Sequence, residues 1–218
     1  TKDKQGENKT PRVAIRMQKG VIAEVRGISA EQNLEPIMAD ITKEKTDTLP
    51  GGKQYEKRTK DMKQLTELEE KTNKGEELTK DDLIFLYEIK DRIDGFGYQE
   101  DPRIKELKNK RDARNDIAKA LSCDTKEVSL TKEEALGGNI LFHYGHLNLG
   151  ELTSAEGLKL PEQVSESLYI GKIASVQGLK LPEQVGGDLE LGELTSAKDL
   201  KLPKQVGGSI YLGKIASA

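Results

Sequence analysis

GLKLPEQVSESLYIGKIASVQ (157–177) runs directly into GLKLPEQVGGDLELGELTSAK (178–198) and then into DLKLPKQVGGSIYLGKIASA (199–218). An incomplete copy, HLNLGELTSAE, precedes them from His146. Self-similarity at a fixed period of 21 residues marks an array in which each unit buries its apolar side against its neighbours. Two apolar-x-apolar triplets recur per unit, starting at Leu147, Leu158, Leu168, Leu179, Leu189, Leu200 and Ile210. An extended triplet of this kind points two side chains in and one out. Two per unit predict a flattened coil with a strand on each side, giving a short β-solenoid of about 3.5 coils over residues 136–218. The alternative is a leucine-rich-repeat-like horseshoe, which has one strand per repeat and an asparagine ladder. No asparagine recurs at a fixed place in these units. Pro161, Pro182 and Pro203 are expected to end one strand of each coil, and Gly186-Gly187 and Gly207-Gly208 to turn a corner at positive φ.

Stacking such coils brings residues 21 apart into columns. Inward columns are Leu152, Ile173, Leu194 and Ile215; Ala155, Val176, Ala197 and Ala218; and Val164, Val185 and Val206, with His143 aligned at their head. Glu151, Lys172, Glu193 and Lys214 alternate in sign, so each sits beside an opposite charge, and the alternation implies a duplicated 42-residue double unit. Gln163, Gln184 and Gln205 could form an amide ladder, beside a serine column at Ser154, Ser175, Ser196 and Ser217. Two outward columns are candidates for an interaction surface: Asn148, Tyr169, Glu190 and Tyr211 on one side, and Lys159, Lys180 and Lys201 on the other.

Upstream the period changes. Val13, Ile15 and Met17, then Val21, Ala23 and Val25, alternate around Gln18-Lys19-Gly20 and predict a β-hairpin over residues 1–28. Two strands alone are marginal, so the hairpin must rest on something. It reads as the end of a domain whose other strands lie before Thr1. Residues 29–135 read as a helical domain. Ser29 and Gln32 form a capping box for a helix from about 30 to 48, and a thinly apolar helix follows over about 53–72. A strongly apolar helix starts at Thr79, with Leu83, Ile84, Leu86, Tyr87, Ile89 and Ile93 on one face, and stops at Asp94-Gly95. Segments 103–110 and 112–122 and a turn capped by Thr131 and Glu134 complete it. The fold class is α+β.

Composition narrows the function classes. Hydrophobic residues make up 34% and charged residues 33%, which suits an elongated molecule with much surface. A net charge of −3 with mixed signs gives no general drive toward nucleic acid or an anionic membrane. No apolar run reaches the length of a membrane span. The single cysteine, Cys123, excludes an intrachain disulfide and fits a reducing compartment such as the cytoplasm.

Residues that could carry chemistry have simpler readings. His143, Tyr144 and His146 offer two metal ligands but no third nearby, so they read as substitutions on the first coil. Cys123 has no histidine close in sequence to activate it. Gly95-Phe96-Gly97 follows a helix instead of a strand and lacks the phosphate-loop Lys-Ser/Thr pair. Acid pairs such as Glu69-Glu70 and Asp81-Asp82 read as solvated helix faces or first-turn charges. No catalytic, cofactor-binding or metal-ligating residue is assigned.

GLKLPEQVGG and SA-x-GLKLP, with FLYEI, GFGYQEDPRI and PRVAIRM…AEVRG upstream, resemble a group of uncharacterised repeat proteins from metagenome-derived bacteria with reduced genomes. The resemblance spans nearly the whole chain and implies a longer parent with more sequence before Thr1 and often more repeats. It brings no activity. Three functions are expected in order: a non-catalytic protein-interaction or scaffold module; the targeting part of a larger enzyme or effector whose catalytic residues lie upstream of residue 1; and a self-associating protein forming an end-to-end homodimer through an uncapped last coil.

Overall fold

The computed structural model describes residues 5, 12–28, 34–97, 99–175, 178–195 and 200–213. The chain divides into two compact units, residues 1–70 with 93–103, and residues 71–92 with 104–218.

In the first unit, β1 (Val13–Gln18) and β2 (Val21–Gly27) pair antiparallel. Gln18 faces Val21, leaving Lys19-Gly20 as a two-residue turn with φ of 51° and 82°. Two successive positive φ angles match the right-handed twist of a hairpin, and glycine supplies one without strain. The hairpin does rest on a support. Ile22 is buried and its N–H donates to the Pro50 carbonyl, while the Val25 N–H donates to the Tyr55 hydroxyl. Pro50 lies in the corner between α1 (Ala39–Asp47) and α2 (Gly52–Asn73), and Tyr55 in the first turn of α2. The first helical segment opens with a 3-10 turn at Pro36–Met38, later than the expected start near 30. Proline lacks an N–H and carries a preset φ, which suits the first helical position. The expected Ser29–Gln32 cap lies outside the described residues.

The second unit begins with α3 (Lys80–Leu86), which Thr79 and Asp82 cap reciprocally as expected. It takes in α4 (Pro102–Asn109) from Ile104 on, α5 (Ala113–Leu121), β3 (Val128–Ser129) and α6 (Lys132–Ala135), the last capped by Thr131 and Glu134. Helix α3 ends at Leu86, well short of the expected Ile93, because Glu88 adopts φ 54°. Tertiary contacts hold that break. The buried Tyr87 hydroxyl donates to Asp116 at 3.1 Å, and the Glu88 carboxylate accepts from Lys108 at 3.0 Å.

The repeats form a β-solenoid. β4 (Phe142–His143), β6 (Gln163–Val164), β8 (Gln184–Val185) and β10 (Gln205–Val206) extend β3 into a parallel sheet in the order β3-β4-β6-β8-β10. β5 (Leu147–Asn148), β7 (Leu168–Ile170), β9 (Leu189–Leu191) and β11 (Ile210–Leu212) form a second parallel sheet. Register is 21 residues throughout the repeats, as in Val164↔Val185 and Leu168↔Leu189. Leu147, Leu149, Leu168, Ile170, Leu189 and Leu191 meet Val164 and Val185 in one buried core. Two strands per coil, rather than one, separate this geometry from a leucine-rich horseshoe.

Three expectations about the coil change. The LKL triplets are not strands. Leu158, Leu160, Leu179 and Leu200 pack partly buried against the core, and the ladder begins after the proline, where the N–H groups of Glu183 and Lys204 reach the carbonyls of Glu162 and Glu183. Proline has no N–H to give a ladder, so the strand follows it instead of ending at it. Gly186, Gly187, Gly207 and Gly208 are not at positive φ; Gly157 and Gly178 are. The paired glycines serve close approach: a Cβ at Gly186 would lie 2.1 Å from the Ser165 carbonyl oxygen, and one at Gly207 2.2 Å from that of Gly186. Finally, the first rung of the β3-containing sheet is Val128–Ser129, upstream of the residue-136 boundary.

Candidate functional site

Strands β5, β7, β9 and β11 align Asn148, Tyr169, Glu190 and Tyr211 in one column, as the triplet pattern requires. Leu168 and Ile170 on either side of Tyr169 are buried, as are Leu189 and Leu191 around Glu190, so the column points outward. Asn148 and Glu190 are exposed, and Tyr211 retains 55% of its accessible surface. Beside the column runs a second one of Gly150, Gly171, Gly192 and Gly213. A Cβ at Gly171 would lie 2.7 Å from the Gly150 carbonyl oxygen, and one at Gly213 2.6 Å from that of Gly192. The glycines therefore let successive coils close up at this edge. They also make room for Tyr169, whose Cε1 would be 2.6 Å from a Cβ at Gly150.

Charges along the next corner are partly committed. Lys172 reaches Glu151 at 2.7 Å, and that hydrogen bond with its charge holds the Glu151 carboxyl below its ordinary range. Lys214 lies outside the described residues. Among the described residues Glu190 has no ion pair.

A feature with no counterpart in the sequence reading precedes each of these strands. His146 Nδ1 accepts from the Ser167 N–H at 3.3 Å, Ser167 Oγ from the Asp188 N–H at 3.0 Å, and Asp188 Oδ1 from the Ser209 N–H at 2.7 Å. The signal was an acceptor-bearing side chain at the same point of every coil, a residue type that readily bonds neighbouring backbone.

The other sheet is partly covered. Gln184 Nε2 donates to the Ile89 carbonyl at 3.2 Å, and Arg92 Nε to the Gly186 carbonyl at 3.1 Å. Gln163, Gln184 and Gln205 stack in register, but Gln184 spends its amide on residue 89 rather than on an amide ladder.

Lys159, Lys180 and Lys201 are all exposed. Lys159 and Lys180 line a half-open cleft of about 460 Å³ together with Glu127, Asn139 and Glu162. Lys204 pairs with Glu183 at 2.7 Å; that bond, with Lys180 a lesser contributor, keeps the Glu183 carboxyl below its ordinary range. Mixed signs line the cleft.

His143 and His146 do not converge on a metal, and no group of three or more potential ligands occurs among the described residues. His143 is buried in the valine column, with Nδ1 2.9 Å from Ser129 Oγ and Nε2 3.3 Å from the His146 carbonyl. A carbonyl only accepts, so Nε2 carries the proton and the Ser129 hydroxyl donates to Nδ1. Burial lowers the His143 pKa. A serine beside an imidazole is a nucleophile-and-base pair in outline, but both side chains are closed off inside the coil. His146 instead reaches outward to Glu166 at 2.5 Å. Cys123 is half-buried; burial, then Glu127, raises its thiol pKa and lowers its reactivity.

No described helix is long and apolar enough to cross a membrane. Comparison with protein-family models, with curated proteins and with solved structures gives no match.

Proposed function

We propose that this chain is a non-catalytic binding module that recognises a protein partner through the Asn148–Tyr169–Glu190–Tyr211 face of its solenoid. The observation that carries the reading is the difference between the two sheets. One has residues 89 and 92 bonded to it, while the other presents an outward column with Tyr211 exposed. Tyrosine offers a large amphipathic contact surface at little entropic cost, and is enriched where proteins meet. Repeats supply such a surface in a regular, rigid row.

A photo-crosslinking residue at Ser209, beside Tyr211, tests this against one at Lys180 on the lysine column. In extract of the source cells, the Ser209 probe should capture a protein, and Tyr169→Ala with Tyr211→Ala should abolish the adduct. Equal capture from Lys180, or an adduct indifferent to both tyrosines, would remove this face.

A further inference from the structure

We infer that the open face takes a basic segment of its partner, with one Lys or Arg side chain seated over Glu190 between Tyr169 and Tyr211. The inference rests on the binding reading above and adds the chemistry of the ligand. Glu190 is exposed, central in the column, and without an ion pair among the described residues, while the adjacent rungs carry tyrosine on both sides. Adjacent parallel strands lie about 4.8 Å apart, so a cation over Glu190 is about that far from each tyrosine column. A ring attracts a cation within about 6 Å of its centroid, and Tyr169 and Tyr211 flank Glu190 one strand spacing away on either side.

Surrounding charges favour the same sign of ligand. The Glu190 coil also exposes Asp188 and Glu193. Lys172 on the neighbouring coil is held by Glu151, and His146 hydrogen-bonds Glu166. The Tyr169 ring is held against Gly150, leaving the space directly over Glu190 open. Tyrosine rungs on both sides of an exposed carboxylate offer a guanidinium or ammonium both cation–π and ionic attraction. An acidic segment would meet repulsion from Glu190.

The test uses the whole chain and a short fluorescein-labelled peptide of alternating Arg and Ser, followed by fluorescence anisotropy at low and moderate salt. The peptide should bind, and added salt should weaken binding. Glu190→Gln, or Tyr169→Ala with Tyr211→Ala, should weaken it about tenfold, the scale of a cation–π contact joined to an exposed ion pair. Lys180→Ala should leave it unchanged, and circular dichroism should show each variant folded. Binding that ignores Glu190→Gln, preference for a matching Glu-Ser peptide, or binding only of a neutral soluble β-glycan would overturn the inference. If the Ser209 adduct depends on the tyrosines but survives Glu190→Gln, the binding face stands and the basic partner falls.

Discussion

The side-chain amide of Gln184 donates to the carbonyl of Ile89, 3.2 Å away and 95 residues earlier in the chain. Arg92 makes a second such bond to the Gly186 carbonyl. Together they explain why the chain leaves its helix after Leu86: a helix continued through residue 89 would turn that carbonyl along its own axis, away from the sheet. The segment 87–92 is thus shaped by the solenoid. Gln184→Ala should cost about 1–2 kcal/mol in urea unfolding, since it orphans the carbonyl of buried Ile89. Amide exchange should quicken across residues 87–92 more than in β9.

Acid should weaken the junction at the first coil. The folded pKa of His143 is lowered, chiefly by burial, against smaller raising effects from the His146 carbonyl, Glu134 and Glu166. The unfolded chain therefore takes up this proton more readily, so stability is full above the unfolded value of about 6.5 and falls as pH drops through it. Replacing Ser129 with Ala and His143 with Val, the residue found at 164 and 185, should flatten that dependence. Denaturant midpoints from pH 8 to 5 measure it; equal slopes in the two proteins would refute the assignment.

Two glycines should respond differently to alanine. Gly157 sits at φ 71° with open space around its Cβ position, so Gly157→Ala should cost only about 1–2 kcal/mol of backbone strain. At Gly186 the new Cβ would meet the Ser165 carbonyl at 2.1 Å. Gly186→Ala should cost about 3 kcal/mol or more, or prevent folding, by forcing the coils apart. Thermal melts of both variants decide the matter.

Tyr87, Asp116 and Arg111 form a chain of polar contacts under the helices. Asp116 accepts from the Tyr87 hydroxyl at 3.1 Å and from Arg111 Nη2 at 3.0 Å. Burial, then the Asp116 charge, pushes the tyrosine pKa far above its ordinary value, so it stays a neutral donor. Tyr87→Phe should cost about 1 kcal/mol, because Asp116 keeps its arginine. Asp116→Ala should cost about 3 kcal/mol, since it strands the buried Tyr87 hydroxyl and the half-buried Arg111 guanidinium. Chemical denaturation of the two variants separates them.

Much of the fold is written in local pattern. Repeats 21 residues apart reveal the stacking, Lys19-Gly20 the hairpin turn, and Thr79-Asp82 and Thr131-Glu134 the helix starts, because each rests on neighbours in sequence or on exact recurrence. The misplaced strand shows the limit. LKL and QV are both short and apolar enough to extend, and only the missing proline N–H decides which one joins the ladder. The paired glycines look like positive-φ residues because sequence cannot tell a backbone angle from a crowded neighbour. Helix α3 reads too long because its end is held by Lys108, Asp116 and Gln184, all far along the chain. Of the site, the outward column was legible through its period, whereas the Ser129–His143 pair was not. Ser129 lies before the first recognisable repeat, and only the stacking shows it to be a rung.

Because coils alternate in kind, the array has a parity. Glu151 meets Lys172, and Tyr169 meets Glu190, only where unlike coils adjoin. Duplicating one 21-residue coil would set lysine on lysine and tyrosine on tyrosine at the new seam, or glutamate on glutamate in both columns. Duplicating 42 residues would keep lysine on glutamate and tyrosine on glutamate in these two columns. Along these columns such an array can lengthen without setting like on like, provided it lengthens by even steps.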